Sequence, residues 1–432
     1  MKSSFRRRLT PGKRLILGFA SIIVMGTFLL WLPISHQPGK EISLIDSFFT
    51  STSAVCVTGL STIDVGNTLS FFGDFVLGTL IQLGGIGFAS FALFFLMLIG
   101  GNRSYSNIQL AREALNSKPG FDINSIVRTV IATSLVCESI GALLSYQVFS
   151  KDYLPMKALG ISIFHAISAF NNAGFDLLGN FTGLIPYRHS VLLNITTTTL
   201  IIIGGLGFYV INDIFAYRKN HRLKMHSKIV LTMTFWLLVL GTIGFHFSQH
   251  IPWMEAFFQS TTTRTAGFST IDISQLTNTS SMLTMLLMFV GASPGSTGGG
   301  IKTTTLFTVL LSIRKIETHS KISAFHRTID DDSILRAFMV TVLGILFTLL
   351  ATAIVFSVEG PRFNFLEVLF ECISAFGTVG LSMGITTRLG ICSKLTLILL
   401  MFIGRLGPLT ITCSWHRARK NVNYLTEDIL IG

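Results

Sequence analysis

The chain has 432 residues, of which 50% are hydrophobic and only 12% charged, and its 33 Lys and Arg outnumber its 21 Asp and Glu to give a net charge of +12. Soluble domains carry about a quarter charged residues, so this composition excludes an ordinary water-soluble protein and predicts a polytopic membrane protein. The positive charge calls for no nucleic acid, because cations confined to the loops of one membrane face account for most of it.

In chain order, a cytoplasmic tail over 1–14 precedes eight predicted spans of roughly 20 apolar residues, at 15–32, 75–99, 126–149, 190–217, 228–247, 281–312, 334–356 and 395–415. The first apolar run ends at Pro33 and shows no small-x-small cleavage site, so it reads as an uncleaved helix. Eight spans put both termini on one side. Six cations stand at or before Arg14, four near 100–128, five near 216–228, five near 313–336 and three after 415, against seven on the opposite side. By the positive-inside rule both termini are cytoplasmic. The cysteines, Cys56, Cys137, Cys372, Cys392 and Cys413, are odd in number and scattered, which predicts neither a disulfide framework nor a zinc site.

A repeat lies between the spans. With Gly59, Gly174, Gly267 and Gly380 aligned, Phe49, Phe164, Phe257 and Phe370 stand ten residues earlier and Ser53, Ser168, Thr261 and Ser374 six earlier. Further on come GGIG at Gly84, GGLG at Gly204, GASP at Gly291 and GRLG at Gly404. Each unit therefore reads as a long helix, a short apolar segment, a glycine turn and a second long helix. The units are 15–99, 126–217, 228–312 and 334–415, with a cytoplasmic tail over 416–432. Apolar segments of about a dozen residues are too short to span and read as re-entrant pore helices. Non-helical backbone at membrane depth survives only where protein or water covers it. Four such turns satisfy that condition together by surrounding one axis. The predicted fold is an all-α integral membrane protein in which four helix–pore loop–helix units, eight spans and four pore helices, are arranged with pseudo-fourfold symmetry around one pore.

Carbonyl oxygens in such a ring replace the hydration shell of a monovalent cation, and glycine lets the backbone turn them inward. The candidate filter residues are Val57, Thr58 and Gly59; Asn172, Ala173 and Gly174; Thr265, Ala266 and Gly267; and Thr378, Val379 and Gly380. The C-termini of the short helices add negative potential there, which selects a cation.

The sixth span carries GASPGSTGGGIKTTT, residues 291–305. Glycine costs a helix about 1 kcal/mol and proline about 3, so the helix opens here. GGIG and GGLG read instead as close-packing glycines, which makes the break peculiar to the third unit. Residues 291–303, among them Gly291, Ser293, Pro294, Gly295, Gly298, Gly299, Gly300 and Lys302, are the candidate gate, and Arg405 is its candidate anchor, with a helix-end snorkeller as the plainer reading.

HAISAFNNAGFDL, TTTRTAGFSTID, SAFGTVGLSMG and FIGRLGPLT, together with the four units, make the chain resemble the membrane subunit of Ktr-type potassium uptake systems of the Trk/Ktr/HKT superfamily, from Leu15 to Gly432. The resemblance implies that the four aligned glycines are filter glycines, that loop and arginine form a gate, and that a homodimer in the bacterial plasma membrane sits on a cytosolic ring of nucleotide-binding subunits. Anionic lipid is the other partner the basic loops would meet. Cys56 departs from the small or hydroxyl residue the family pattern leads one to expect at the start of the first filter strand.

Other polar groups receive plainer readings. Arg264 braces pore helices or reaches the outer mouth. Glu138 and Glu371 orient pore helices or couple transport to protons or sodium. Asp46 and Glu255 sit at helix N-termini, and His165 is a packed histidine. There is no HExxH, nucleophile elbow or phosphate-binding loop, so the expectation is a potassium pore without enzyme activity, nucleic-acid partner or bound cofactor, with potassium as substrate and sodium as a candidate activator or coupling ion. The rival reading is an ion-coupled secondary transporter with broken helices at the midplane.

Overall fold

The structure, a computed structural model, describes residues 11–87, 123–315, 322–408 and 410. The second half of the span expected at 75–99, the basic segment up to 122, Cys413, most of the N-terminal tail and the C-terminal tail lie outside the described residues.

The first unit contains α1 (Pro11–Trp31), α2 (Leu44–Val55), a single turn α3 (Val65–Thr68) and α4 (Phe71–Ile86). The second contains α5 (Ile123–Phe149), α6 (Pro155–Phe170), α7 (Val191–Leu206) and α8 (Phe208–Asn220). In the third are α9 (Met225–Gln249), α10 (Trp253–Thr262), α11 (Asn278–Phe289) and α12 (Thr303–Lys315). A small hairpin, β1 (Ser323–Ala324) with β2 (Arg327–Thr328), leads into the fourth, made of α13 (Asp331–Glu359), α14 (Phe365–Gly377) and α15 (Ile391–Leu406).

The opening helix of every unit is long and apolar enough to cross a membrane: Gly12–Trp31, Ile126–Phe149, Met225–Gln249 and Asp331–Glu359. At 1.5 Å per residue each reaches about 30 Å or more, the thickness of the hydrocarbon layer. Side chains start several of the shorter helices. Ser43, Ser70 and Thr277 accept hydrogen bonds from the backbone N–H of Asp46, Gly73 and Ser280, and Asn364 with Glu367 forms a capping box at the head of α14. These contacts satisfy N–H groups that the first turn of a helix leaves free.

The closing helices differ from the straight spans the sequence predicts. Helices α4, α7 and α15 stop at Gly87, Gly207 and Gly407, whose φ angles are +83°, +90° and +86°. A residue in that region cannot continue a right-handed helix. At Gly207 the chain bends by 91° into α8, so 190–217 is not one straight span. The interruption is therefore not peculiar to the third unit, and only its length is. Close packing operates alongside it: a side chain at Gly84, Gly204 or Gly404 would collide with the carbonyl of Val55, Phe170 or Phe376, each at or near the end of a short helix.

Inside, Phe49 and Phe370, two of the four phenylalanines aligned by the repeat, are completely buried. The third unit slips by one residue: Phe257 is 37% exposed and Phe258 takes the interior place.

Candidate ion pathway

Three of the four short helices end identically. In the first, the N–H of Thr58 donates to Ser53 O at 2.7 Å and that of Val57 to Ala54 O at 3.1 Å. The second and fourth repeat the pair with Ala173 to Ser168 and Asn172 to Ala169, then Val379 to Ser374 and Thr378 to Ala375. This six-to-one and five-to-two pairing is a Schellman motif, which closes a helix through one left-handed residue. That residue is Val57 (φ +57°), Asn172 (+58°) and Thr378 (+50°), and Thr265 (+69°) holds the same place in the third unit. Glycine is the usual occupant, and a β-branched residue there is a strained choice held by its surroundings. The third helix closes differently, with Ala266 and Gly267 both donating to Thr262 O.

Two residues on stand the aligned glycines, all with positive φ: Gly59 (+91°), Gly174 (+69°), Gly267 (+83°) and Gly380 (+94°). They meet in a closed ring. A methyl group added to Gly59 would lie 2.5 Å from Ala173 O and 3.1 Å from Gly174 Cα, and one on Gly174 2.7 Å from Ala266 O and 3.0 Å from Gly267 Cα. On Gly267 it would strike Val379 O and approach Gly380 Cα to 3.3 Å, and on Gly380 it would strike Thr58 O and approach Gly59 Cα to 3.0 Å. Each glycine thus packs on the carbonyl before the next glycine, and the fourth returns to the first. Ser53 and Ser374 accept the N–H of Gly59 and Gly380 at 3.0 and 3.1 Å. That is what the recurring hydroxyl does in those units. In the second, Ser168 Oγ has no hydrogen-bond partner among the described residues.

A cavity of about 380 Å³ opens on one side of the ring and touches all four glycines. Asp176 and Asp272 are among its lining residues, and no Lys, Arg or His is. Burial pushes the Asp176 carboxyl up to about 6, helped by the charge of Asp64 and opposed by hydrogen bonds from the backbone of Leu178 and Gly179.

Three residues before each glycine stand Cys56, Asn171, Arg264 and Gly377, which belong to the ends of the short helices and face the surrounding helices. Cys56 is the fully buried C-cap of α2, N-terminal to the left-handed turn. Arg264 is buried, with one nitrogen 3.5 Å from Thr234 Oγ1 on α9, so it braces a pore helix against a span rather than reaching the mouth. His165 is packed edge-on against Phe149 and Phe268 and bonded to Thr197 at 2.9 Å. The fully buried Glu371 accepts hydrogen bonds from the hydroxyls of Ser382 and Thr386, tying α14 to the strand beyond Gly380. Asp46 forms an ion pair with Lys394 at 2.7 Å, joining the first unit to the fourth, and Glu255 lies buried in the first turn of α10.

Against the filter turns, away from the residues that line the cavity, α11 stops at Phe289 and the chain runs as a loop before resuming as α12 at Thr303. The loop begins and ends on itself, with Gly291 N donating to Ile301 O at 2.8 Å. In between it touches the second and fourth units and the filter turn of its own unit. Ser293 N and Thr297 N donate to the carbonyls of Gly205 and Gly204, and the N–H of Phe208 caps Gly295 O at 2.9 Å. Pro294 O packs on Gly207. Gly299 N donates to Thr378 Oγ1 at 3.0 Å, and a side chain at Gly298 would collide with Thr265 Oγ1. Gly295 and Gly300 have φ of +68° and +66°. Lys302 folds back, its Nζ 2.6 Å from Gly298 O and 3.4 Å from Gly299 O.

Arg405 completes the arrangement. Its guanidinium donates to Thr297 O in the loop, to Gly84 O, and at 3.2 Å to Gly85 O at the end of α4. One side chain from the fourth unit therefore binds the third unit's loop to the first unit's helix. A planar fork with five donors spans carbonyls on two separate segments, whereas the compact ammonium of Lys302 meets two neighbouring carbonyls of one segment. Thr297 O is the kind of acceptor expected of an arginine that anchors the loop, whereas Gly84 O and Gly85 O were missed, since backbone acceptors in another unit carry no residue-specific signal. Sequence reasoning also missed Gln82, whose amide inside the apolar α4 was itself a signal.

The profile of the TrkH family, described as cation transport protein, matches residues 13–241 and 232–416. The potassium/sodium uptake protein NtpJ of Enterococcus hirae is 37% identical, with 100% of this chain and 99% of that protein covered. Ktr system potassium uptake protein B of Bacillus subtilis is 36% identical over 98% of this chain and 97% of its own. Among solved structures, the potassium transporter TrkH from Vibrio parahaemolyticus superimposes with a TM-score of 0.73 over 96% of this chain and 88% of that one, at 17% identity, which is a likeness of fold.

Proposed function

Because the chain belongs to the TrkH family of cation transport proteins, we propose that it is a multi-pass membrane protein that takes potassium into the cell through the ring of Gly59, Gly174, Gly267 and Gly380. The observation that carries this reading is the ring itself: four glycines of one repeat, each packed on the next unit's carbonyl, beneath a cavity with acidic and no basic lining. Carbonyl oxygens at that constriction take over from water around a monovalent cation. The short helices end toward it, so their dipoles favour positive charge, and the vestibule carboxylates concentrate cations at its mouth.

The filter is then residues 57–59, 172–174, 265–267 and 378–380, with the vestibule facing outward and both termini in the cytoplasm. The loop 291–303 closes the pathway on the cytoplasmic side, and Arg405 holds it closed. In this reading the chain works as a homodimer with a separate cytosolic, nucleotide-binding regulatory subunit. The names of its relatives support the cargo, one naming sodium beside potassium, and sodium is accordingly the second cation to measure.

Expression in a cell lacking its potassium uptake systems tests the proposal. Growth at low external potassium should be restored, and Gly380→Ser, which places a side chain against Thr58 O at φ +94°, should abolish the discrimination of potassium over sodium. A wild-type chain that passes no potassium or rubidium, or a Gly380→Ser chain that discriminates as before, overturns it.

A further inference from the structure

Behind the filter turn of the second unit lies a buried polar triad that the pathway itself does not use. Glu138, on α5, is 9% exposed. Both its carboxylate oxygens accept from the amide nitrogen of Gln82 on α4, at 2.9 and 3.0 Å. One of them also accepts from the amide nitrogen of Asn171 at 3.2 Å, and that nitrogen lies 2.7 Å from Gln82 Oε1 and 2.9 Å from Ile167 O. Two protons are thus shared among three acceptors. A carboxylate at this depth is costly unless its lone pairs are occupied, and here they are occupied by two amides from two different units.

The placement of those amides matters more than their number. Asn171 is the C-cap of α6 and directly precedes Asn172, the left-handed residue of the second turn. Gln82 stands two residues before Gly84 and three before Gly85, whose carbonyls receive Arg405. Asn171 Oδ1 packs directly on the backbone of Gly85. A single side chain therefore sets both the approach to one filter turn and the last turn of the helix on which the anchoring arginine rests. The other units have nothing equivalent at this position, where Cys56, Arg264 and Gly377 stand.

We infer that Glu138 is a positioning residue for selectivity: through Gln82 and Asn171 it holds the second filter turn in the geometry that favours the larger cation. The inference rests on the pore reading above. Replacing one carboxylate oxygen by an amide, as in Glu138→Gln, keeps the volume and turns an acceptor into a donor facing the Gln82 amide. In proteoliposomes with external rubidium or sodium as tracer, the rubidium-to-sodium flux ratio of Glu138→Gln should fall about fivefold to tenfold, the scale of one ordinary intramolecular hydrogen bond. Glu138→Asp, which retains both acceptors on a shorter stem, should lose less. An unchanged ratio in Glu138→Gln, with protein recovered in wild-type amount, overturns the inference. A merely structural role would lower both fluxes together and leave the ratio alone, which overturns it equally. Gly380→Ser measured in parallel separates the two levels: if that variant keeps its ratio too, the pore reading fails, and if it loses the ratio while Glu138→Gln does not, only the role of Glu138 fails. Should Glu138→Gln not reach the membrane, Asn171→Asp, which removes the donor from the other end, must lower the ratio by a similar factor.

Discussion

The ring and the loop beneath it are built on opposite plans. The ring is backbone, repeated four times: its glycines sit at φ between +69° and +94°, and what each unit presents to the next is a carbonyl. The loop is single, belongs to one unit, and is held largely by side chains and helix ends from the other three. Repetition suits a site that must surround an ion evenly, because equivalent oxygens are supplied by any sequence that can adopt the turn. It does not suit a gate, because four identical loops cannot share one axis. The third unit lengthens an interruption that the second makes with the one glycine Gly207, and the other units supply the contacts: Gly204 and Gly205 from the second, Thr378 and Arg405 from the fourth, and, through Arg405, Gly84 and Gly85 from the first.

Breaking the loop's attachment therefore carries the largest expected effect. Arg405→Ala removes charge-assisted hydrogen bonds to three carbonyls, each worth about 1.5–3 kcal/mol. Even a single such bond shifts the balance of closed and open loop by tenfold or more. Passive rubidium flux without any regulatory partner should rise by at least about that factor. Arg405→Lys should rescue only part of it, since an ammonium lacks the fork that spans Thr297 O and Gly84 O together. Flux unchanged in both variants would remove the loop from the gating role.

The ring was the more legible of the two regions. Four glycines at matching positions, with a hydroxyl six residues before each, were visible in the sequence because backbone turns restrict residue type sharply. What could not be read is how the turns are capped. Ser53 and Ser374 bond the glycine N–H, Ser168 bonds nothing, and Thr261 bonds its own helix at Phe257 O. The unit-three register slip, with Phe258 rather than Phe257 inside, was hidden because both positions hold the same residue. The loop was legible as a break from its glycines and proline, and Arg405 as a buried charge. Its acceptors on α4, Gly84 O and Gly85 O, were not, and neither was the ending of α4, α7 and α15 on glycine, since a glycine before a helix end and a glycine in a packed helix look alike in sequence.

The vestibule sharpens the contrast by charge, with a smaller expected effect. The cavity on the ring side is lined by the carboxylates Asp176 and Asp272, and burial brings Asp176 to about 6. Its charge is present above that pH and lost below it. Potassium uptake at subsaturating concentration should fall as external pH drops through about 6, by about threefold for one partly screened charge. Asp176→Asn should show the lower rate at neutral pH and lose that pH dependence. Acidifying only the inner face should leave uptake unaffected by this group, and an Asp176→Asn chain that retains the same outer profile would assign the titration elsewhere.

The smallest expected effect tests whether the ring is fourfold in energy as well as in outline. In the first and fourth units the glycine N–H is held by a serine hydroxyl, at 3.0 and 3.1 Å, so Ser53→Ala and Ser374→Ala each leave a buried donor without its acceptor. Such a loss costs about 1 kcal/mol, too little to empty the filter. Ser168→Ala deletes a hydroxyl that bonds nothing among the described residues. Thermal stability of the purified protein, measured with and without potassium, should therefore show a reduced potassium-dependent gain for the first two variants and an undiminished gain for the third. Equal losses at all three positions would mean that the hydroxyl serves the pore helix rather than the glycine it precedes, and the difference between the units would then lie in packing alone.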